Sequence, residues 1–197
     1  MRVTLASIVS LALLGGLVSA ADVLTPQLAD AFEKKIVLVQ KQAEQKSAKD
    51  RPTTFTQAET NSYLKFKAGS LLPTGLTQPE ITMLGQNRVS AKAVVDLDVV
   101  RQKQSSGGWL DPTSYLTGKL LVTASGRIVT WDGKGKVELE RAEVSGLTIP
   151  RSFLNQMVNF FTRTADNPKG SSLDDTFDLP ANIRRIDVEQ SRFITHQ

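Results

Sequence analysis

The chain of 197 residues contains no cysteine and one histidine, His196. Without thiols there is no disulfide, no thiolate nucleophile, no iron–sulfur cluster and no zinc site built on Cys and His. A lipoprotein is excluded on the same ground, because lipidation at a cleavage site needs a cysteine. The one imidazole stands next to the chain end, where order is not expected, so a Ser-His-Asp triad has no base to draw on. Basic charge is also thin. Lys and Arg exceed Asp and Glu by only four, and neither Trp109 nor Trp131 lies in a Lys/Arg cluster, so a nucleic-acid partner is not expected. Gly107-Gly108 and Asp132-Gly133-Lys134-Gly135 lack the lysine-hydroxyl ending and the strand–helix setting of a phosphate cradle, and read as turns.

Carboxylates offer little more. Asp96 and Asp98 fall on one side of an extended segment, about 7 Å apart, which is within range of a glycosidase pair. Lys92 shares that side, and a solvated strand face explains the pattern as well. Asp174-Asp175 supply too few oxygen ligands for a dedicated calcium site. No enzyme activity, metal or cofactor is therefore expected.

Residues 1–20 have the pattern of a secretory signal. Arg2 gives the positive start, Leu5 to Leu17 is an apolar run, and Val18-Ser19-Ala20 offers small residues for cleavage before Ala21. The run is short against the roughly 20 residues of a membrane span. The expected location is periplasmic or secreted. The remainder of the chain divides into an N-terminal amphipathic helix, 21–50, and a single domain, 51–197, of ordinary size.

Leu24, Leu28, Phe32, Ile36, Val39 and Ala43 recur at helical spacing behind a Thr25-Pro26 start, so 22–48 is expected to be helical. Its polar, basic C-terminal half is expected to project or fray. Thr56 and Glu59 form a capping box for a second helix that Gly69 stops. From Pro79 the period changes to two. A short strand at 80–85 turns at Gln86-Asn87-Arg88 into a long one at 89–99. Leu116, Leu120 and Val122 mark the next strand, and Ser125-Gly126 is read as a turn into Arg127–Trp131. Asp132-Gly133 then signals a hairpin. The strand that begins at Val137 slips register near Arg141-Ala142, which predicts a bulge, and resumes through Val144, Leu147 and Ile149. Pro150 opens a helix with a wide apolar face, and a strand spanning Ile183 to Ile194 closes the chain. The order predicts an α+β domain.

The assets left are apolar. Val89, Ala91, Ala93 and Val95 form the dry face of the long strand; Leu154, Met157, Val158 and Phe161 lie on the C-terminal helix with Phe153 and Phe160. The pattern does not separate a solid core from an elongated apolar cavity, and an ordinary core is the commoner cause of such a pattern.

Three stretches carry a family likeness: FTQAETNSYL (Phe55–Leu64), VSGLTIPRSFLNQMV (Val144–Val158) and LPANIRRIDVEQSRFIT (Leu179–Thr195). Together they resemble the LmeA-like phospholipid-binding group and the related YceB-like periplasmic lipoproteins, over roughly residues 54–195. The resemblance implies a tubular lipid-binding (TULIP-like) design: a strongly curved antiparallel β-sheet wrapped around a C-terminal amphipathic helix, here preceded by an N-terminal helix. It implies an exported, non-enzymatic carrier or chaperone for a lipid or other long apolar ligand, with transient membrane contact. Val89, Ala91, Ala93, Val95, Leu154, Met157, Val158 and Phe161 would line the cavity. The chain departs from the lipoproteins in lacking their cysteine and in adding helix 22–48. That helix motivates an alternative, a periplasmic scaffold or complex subunit that docks a protein partner through 22–48.

Overall fold

Thr25 and Pro26 start the first helix as their chemistry suggests. The Thr25 hydroxyl accepts from the Leu28 N–H at 3.2 Å, and Pro26 occupies the first turn, where its missing N–H costs nothing. The computed structural model describes residues 23–45, 49–99, 118–163 and 167–197. The expected signal segment, Trp109 and Leu116 lie outside these residues. Helix α1 runs Pro26–Ala43. Beyond it come β1 (Pro52–Thr56), α2 (Gln57–Phe66) and a short 3-10 turn (Ala68–Ser70). Strands β2 (Leu76–Gly85), β3 (Arg88–Asp96), β4 (Lys119–Trp131), β5 (Lys134–Val144) and β6 (Leu147–Thr148) come next. Then come α3 (Arg151–Phe161), β7 (Phe177–Asp178), β8 (Arg185–Glu189) and β9 (Arg192–His196).

The fold is α+β with a large antiparallel sheet. Strands β2 to β6 pair in chain order, and β7 joins the edge of β5. A second, three-stranded sheet has the order β1-β9-β8. Strand β8 crosses the turn end of the large sheet. Thr130 Oγ1 accepts from the Ile186 N–H at 3.0 Å and donates to the Ile186 carbonyl, while Asn87 Oδ1 accepts from the Val188 N–H at 2.7 Å. The principal core sits there. Phe32 and Val39 of α1, Phe55 of β1, and Leu179 and Ile183 before β8 are buried together, with Tyr63 and Phe193 packed against them. Phe55 and Phe193 stack with centroids 4.7 Å apart, and Phe32 lies 5.1 Å from Phe55.

Helix α1 is thus part of the core rather than a detached arm. Its apolar stripe falls where its spacing predicts, with Ala29, Phe32 and Val39 buried. Its C-terminal end is tied down: Asn182 donates to the Ala43 carbonyl at 2.9 Å and Arg51 to that of Gln42 at 3.3 Å. The helix is shorter than expected, and the projecting half is not seen among the described residues.

Four strand readings are corrected. Ser125-Gly126 is no turn; β4 runs unbroken through it, and Gly126 marks a bulge where Glu140 of β5 is the extra residue. The expected strand 89–99 ends at Asp96. The Asp96 carboxylate accepts from the N–H groups of Asp98 and Val99 and starts a helical turn. Ser145-Gly146, both at positive φ, fold β6 back on β5 instead of letting the strand continue. The closing segment is a hairpin, β8–β9, turned at Gln190-Ser191, with β1 added to its far side. His196 consequently lies in β9 and not in a loose tail.

The strong curvature around the C-terminal helix is not found. Among the described contacts, α3 is held by the segment after it: Asn155 Oδ1 accepts from the Leu173 N–H at 2.9 Å, and Arg151 pairs with Asp174, which also lies 3.8 Å from Lys136 of β5. These polar ties place α3 beside the β5 edge.

Candidate functional site: an open apolar sheet face

The ladders of the large sheet fix which side chains share a face. Val89 pairs with Met83 on one side and Gly126 on the other; Ala91 pairs with Ile81 and Ala124; Ala93 pairs with Val122; Val95 pairs with Leu76 and Leu120. Across β4, Val122 faces Val144, Ala124 faces Ala142, Gly126 faces Leu139 and Ile128 faces Val137. Alternation puts all of these on one side. The bulge at Glu140 keeps it so, because without the extra residue Ala142 and Val144 would turn to the opposite face. That opposite face carries the charged residues Glu80, Lys92, Lys119, Arg127, Lys136 and Glu138 together with Val94, Leu121 and Val129. The sheet is therefore apolar on one side and mixed on the other over four strands, β2 to β5.

Cover on the apolar side is uneven. At the turn end, β8 lies against the sheet, and Met83 is buried. Away from that end Ala93, Val95, Leu120, Val122 and Val144 are only half-buried, and Ala91 is exposed. Ala91–Ala124–Ala142 forms a row of small side chains crossing the strands, with Ile81 at its β2 end and Ala142 buried at the other, so the floor of the face is lowest there. One edge of the face is sealed by α2. The Asn61 amide donates to the Ile81 carbonyl and accepts from its N–H, both at 2.8 Å, and Gln57 Oε1 accepts from the Met83 N–H at 2.8 Å.

The expected lining residues divide into two groups. Val89, Ala91, Ala93 and Val95 come together on this face. Leu154 and Val158 of α3 are half-buried, but no described contact seats them on β3. The side chains of Met157 and Phe161 lie outside the described residues. Sequence reasoning missed Ile81, Met83, Leu120, Val122, Ala124, Leu139, Ala142 and Val144 as members of the same surface. The signal was the alternation Leu120-Val122-Ala124-Gly126-Ile128, which reads as one strand once Gly126 is taken as a bulge.

Titratable groups lie elsewhere. His196 is clamped, with Nδ1 2.9 Å from Asp50 and Nε2 3.0 Å from Asp187, so each ring nitrogen already faces a carboxylate. The hydrogen bond to His196 holds the Asp50 carboxyl below its usual range. Burial pushes Glu59 up, but Lys35 at 2.7 Å and the Thr56 N–H more than offset this and hold it low. Lys67 bridges Asp30 and Glu33, which lowers Asp30 and raises Lys67. Asp96 caps the turn after β3 and Asp98 accepts from the Gly118 N–H, so the two no longer form a strand-face pair. Among the described residues no three His, Asp or Glu side chains gather as a metal set, and no helix is long and apolar enough to cross a membrane.

Comparison with protein-family models, with curated proteins and with solved structures yields no match to this chain.

Proposed function

We propose that this chain is an exported, non-enzymatic binding protein for a lipid or another long apolar ligand, acting as a carrier or chaperone. The observation that carries the reading is the apolar sheet face, continuous over four strands and, among the described residues, half-open at the end away from β8. An open apolar surface of this extent on a folded domain commonly marks a binding region. An acyl chain lying along the row Ile81–Ala91–Ala124–Ala142 would bury methylenes at about 0.8 kcal/mol each, before the costs of association. In this reading the apolar side of α3, with Leu154, Met157, Val158 and Phe161, closes over the chain. The partner-docking alternative would rest on the outer side of α1, where Val37 and Leu38 are exposed, since its main apolar stripe is packed in the core.

Native mass spectrometry of the purified protein, followed by uptake of a fluorescent fatty acid, tests the reading. Bound lipid or saturable uptake is expected. Replacing Ala124 by Phe fills the floor of the face and should weaken uptake by about tenfold or more. A protein that stays empty and takes up no fatty acid overturns the proposal, and so does undiminished uptake by a folded Ala124→Phe variant.

A further inference from the structure

His196 of β9 pairs with Pro52 of β1 on one side and with Arg185 of β8 on the other. Asp50 stands two residues before Pro52 and Asp187 two residues after Arg185, so both reach the ring from diagonal positions. Nδ1 lies 2.9 Å from Asp50 Oδ2, Nε2 lies 3.0 Å from Asp187 Oδ2, and the side chain is 15 % exposed. An ionised carboxylate accepts hydrogen bonds and cannot donate them, and a neutral imidazole carries one N–H. Both contacts are therefore hydrogen bonds only when both ring nitrogens are protonated. The arrangement is that of an imidazolium held between two anions.

The two nitrogens differ in what else they meet. Arg185 Nη2 lies 3.4 Å from Nε2, and Arg185 Nε lies 3.1 Å from Asp187 Oδ2. A guanidinium only donates, so this one opposes a proton on Nε2 and suits a lone pair there. On the other side, Arg184 stands 3.6 Å from Asp50 Oδ1, the oxygen that does not face the ring. Arg51, next to Asp50, is turned to the Gln42 carbonyl of α1. Arg192 and Glu189 pair with each other at the turn of the β8–β9 hairpin. The surroundings thus favour keeping the proton on Nδ1 and giving up the one on Nε2.

We propose that His196 is a proton-operated clasp on β8. The charged ring joins Asp50 to Asp187. When the ring loses a proton, the proton leaves from Nε2; Nδ1–H stays on Asp50, and Nε2 accepts from Arg185 instead of donating to Asp187. Asp187 then faces a lone pair, and the clasp on β8 opens. Asp187 lies between Ile186 and Val188, whose main-chain groups bond Thr130 of β4 and Asn87 of the β2–β3 turn. The proton therefore sets how firmly the strand that braces the large sheet is held. The device does not depend on what the apolar face binds.

The chain has one histidine, so NMR of the full chain reads the two ring nitrogens without overlap. At about pH 5.5 both should be protonated, and at about pH 8.5, beyond the usual imidazole range, Nδ1 alone should carry a proton. That tautomer is the reverse of the preference of a free histidine side chain. Asp50→Ala should return the neutral ring to the Nε2–H form. Urea unfolding gives a second readout, because the stability from the charged clasp is present at low pH and lost as pH rises and the ring is neutralised. Between the two pH values the folding equilibrium constant should fall about threefold more in the native chain than in Asp187→Asn. A neutral ring with its proton on Nε2 overturns the proposal, and so does an equal fall in the two chains. The tautomer of the native chain is read without any variant, so that outcome stands even where a substitution prevents folding.

Discussion

Gly126 shows how one residue decides the shape of the sheet. A Cβ built there would stand 2.5 Å from the Glu138 carbonyl oxygen and 3.2 Å from Leu139 Cα, both backbone atoms that cannot swing aside. Glycine is required because β5 presses on β4 at this point, and the bulge at Glu140 arises from the same close approach. Gly126→Ala is expected to cost about 1–3 kcal/mol in urea unfolding, because strand separation must grow locally. An unchanged midpoint and slope would show that the two strands can part here at no cost. Asp50 makes a second point. Its folded carboxyl titrates below the unfolded value because His196 donates to it. The stability it contributes is present above the ordinary carboxylate range and is lost as pH falls through the depressed folded value. The difference in melting temperature between the native chain and Asp50→Asn should therefore shrink on acidification from about pH 5 downward. A difference that stays constant to strongly acidic pH would exclude the Asp50–His196 bond as its source.

Among the elements, α2 links a legible signal to an illegible one. The capping box was readable: Thr56 Oγ1 accepts from the Glu59 N–H at 3.2 Å and Glu59 Oε2 accepts from the Thr56 N–H at 2.8 Å. So were the Thr25-Pro26 start, the Asp132-Gly133 hairpin and the dry face of β3, because each rests on neighbours within a few residues. What α2 does with its other residues was not readable. Asn61 reaches 20 positions along the chain to satisfy both polar groups of Ile81 on the outer edge of β2. An asparagine inside a helix reads as a solvent-facing residue, yet Asn61 is buried. Asn61→Ala should leave an edge N–H and carbonyl unpaired and cost about 1–3 kcal/mol, with hydrogen exchange at the Ile81 amide accelerating first. Full protection of that amide in the variant would mean that α2 seals the edge by packing alone. The same distance problem explains the hairpin β8–β9. Its turn residues, Gln190 and Ser191, are neither Gly nor Pro, and Ser191 takes φ 61° with no local sequence signal for it.

At the scale of the molecule, the two ends of the large sheet differ in how they are supported. The turn end is braced by β8 through contacts between residues more than fifty positions apart, such as Asn87 with Val188 and Thr130 with Ile186. No periodicity within a strand encodes such contacts, which is why the three-stranded sheet was unforeseen although the strand patterns that build it were visible. Among the described residues, and Leu97 apart, the opposite end has fewer buried partners: Leu147 is 73 % exposed and Leu121, on the other face, 43 %. Local stability tracks local burial, so opening should be graded along the sheet. Amides of β8 and of the turn-end halves of β3 and β4 are expected to exchange only by global unfolding. Those near Val95, Leu120 and Val144 should exchange earlier through partial opening. A ligand that binds the folded state raises its stability by mass action, and one seated on the apolar face adds protection where cover is missing. Saturating fatty acid should therefore slow exchange most at the open end and least at the turn end. A uniform slowing along all four strands of the face would place the ligand somewhere other than on this face.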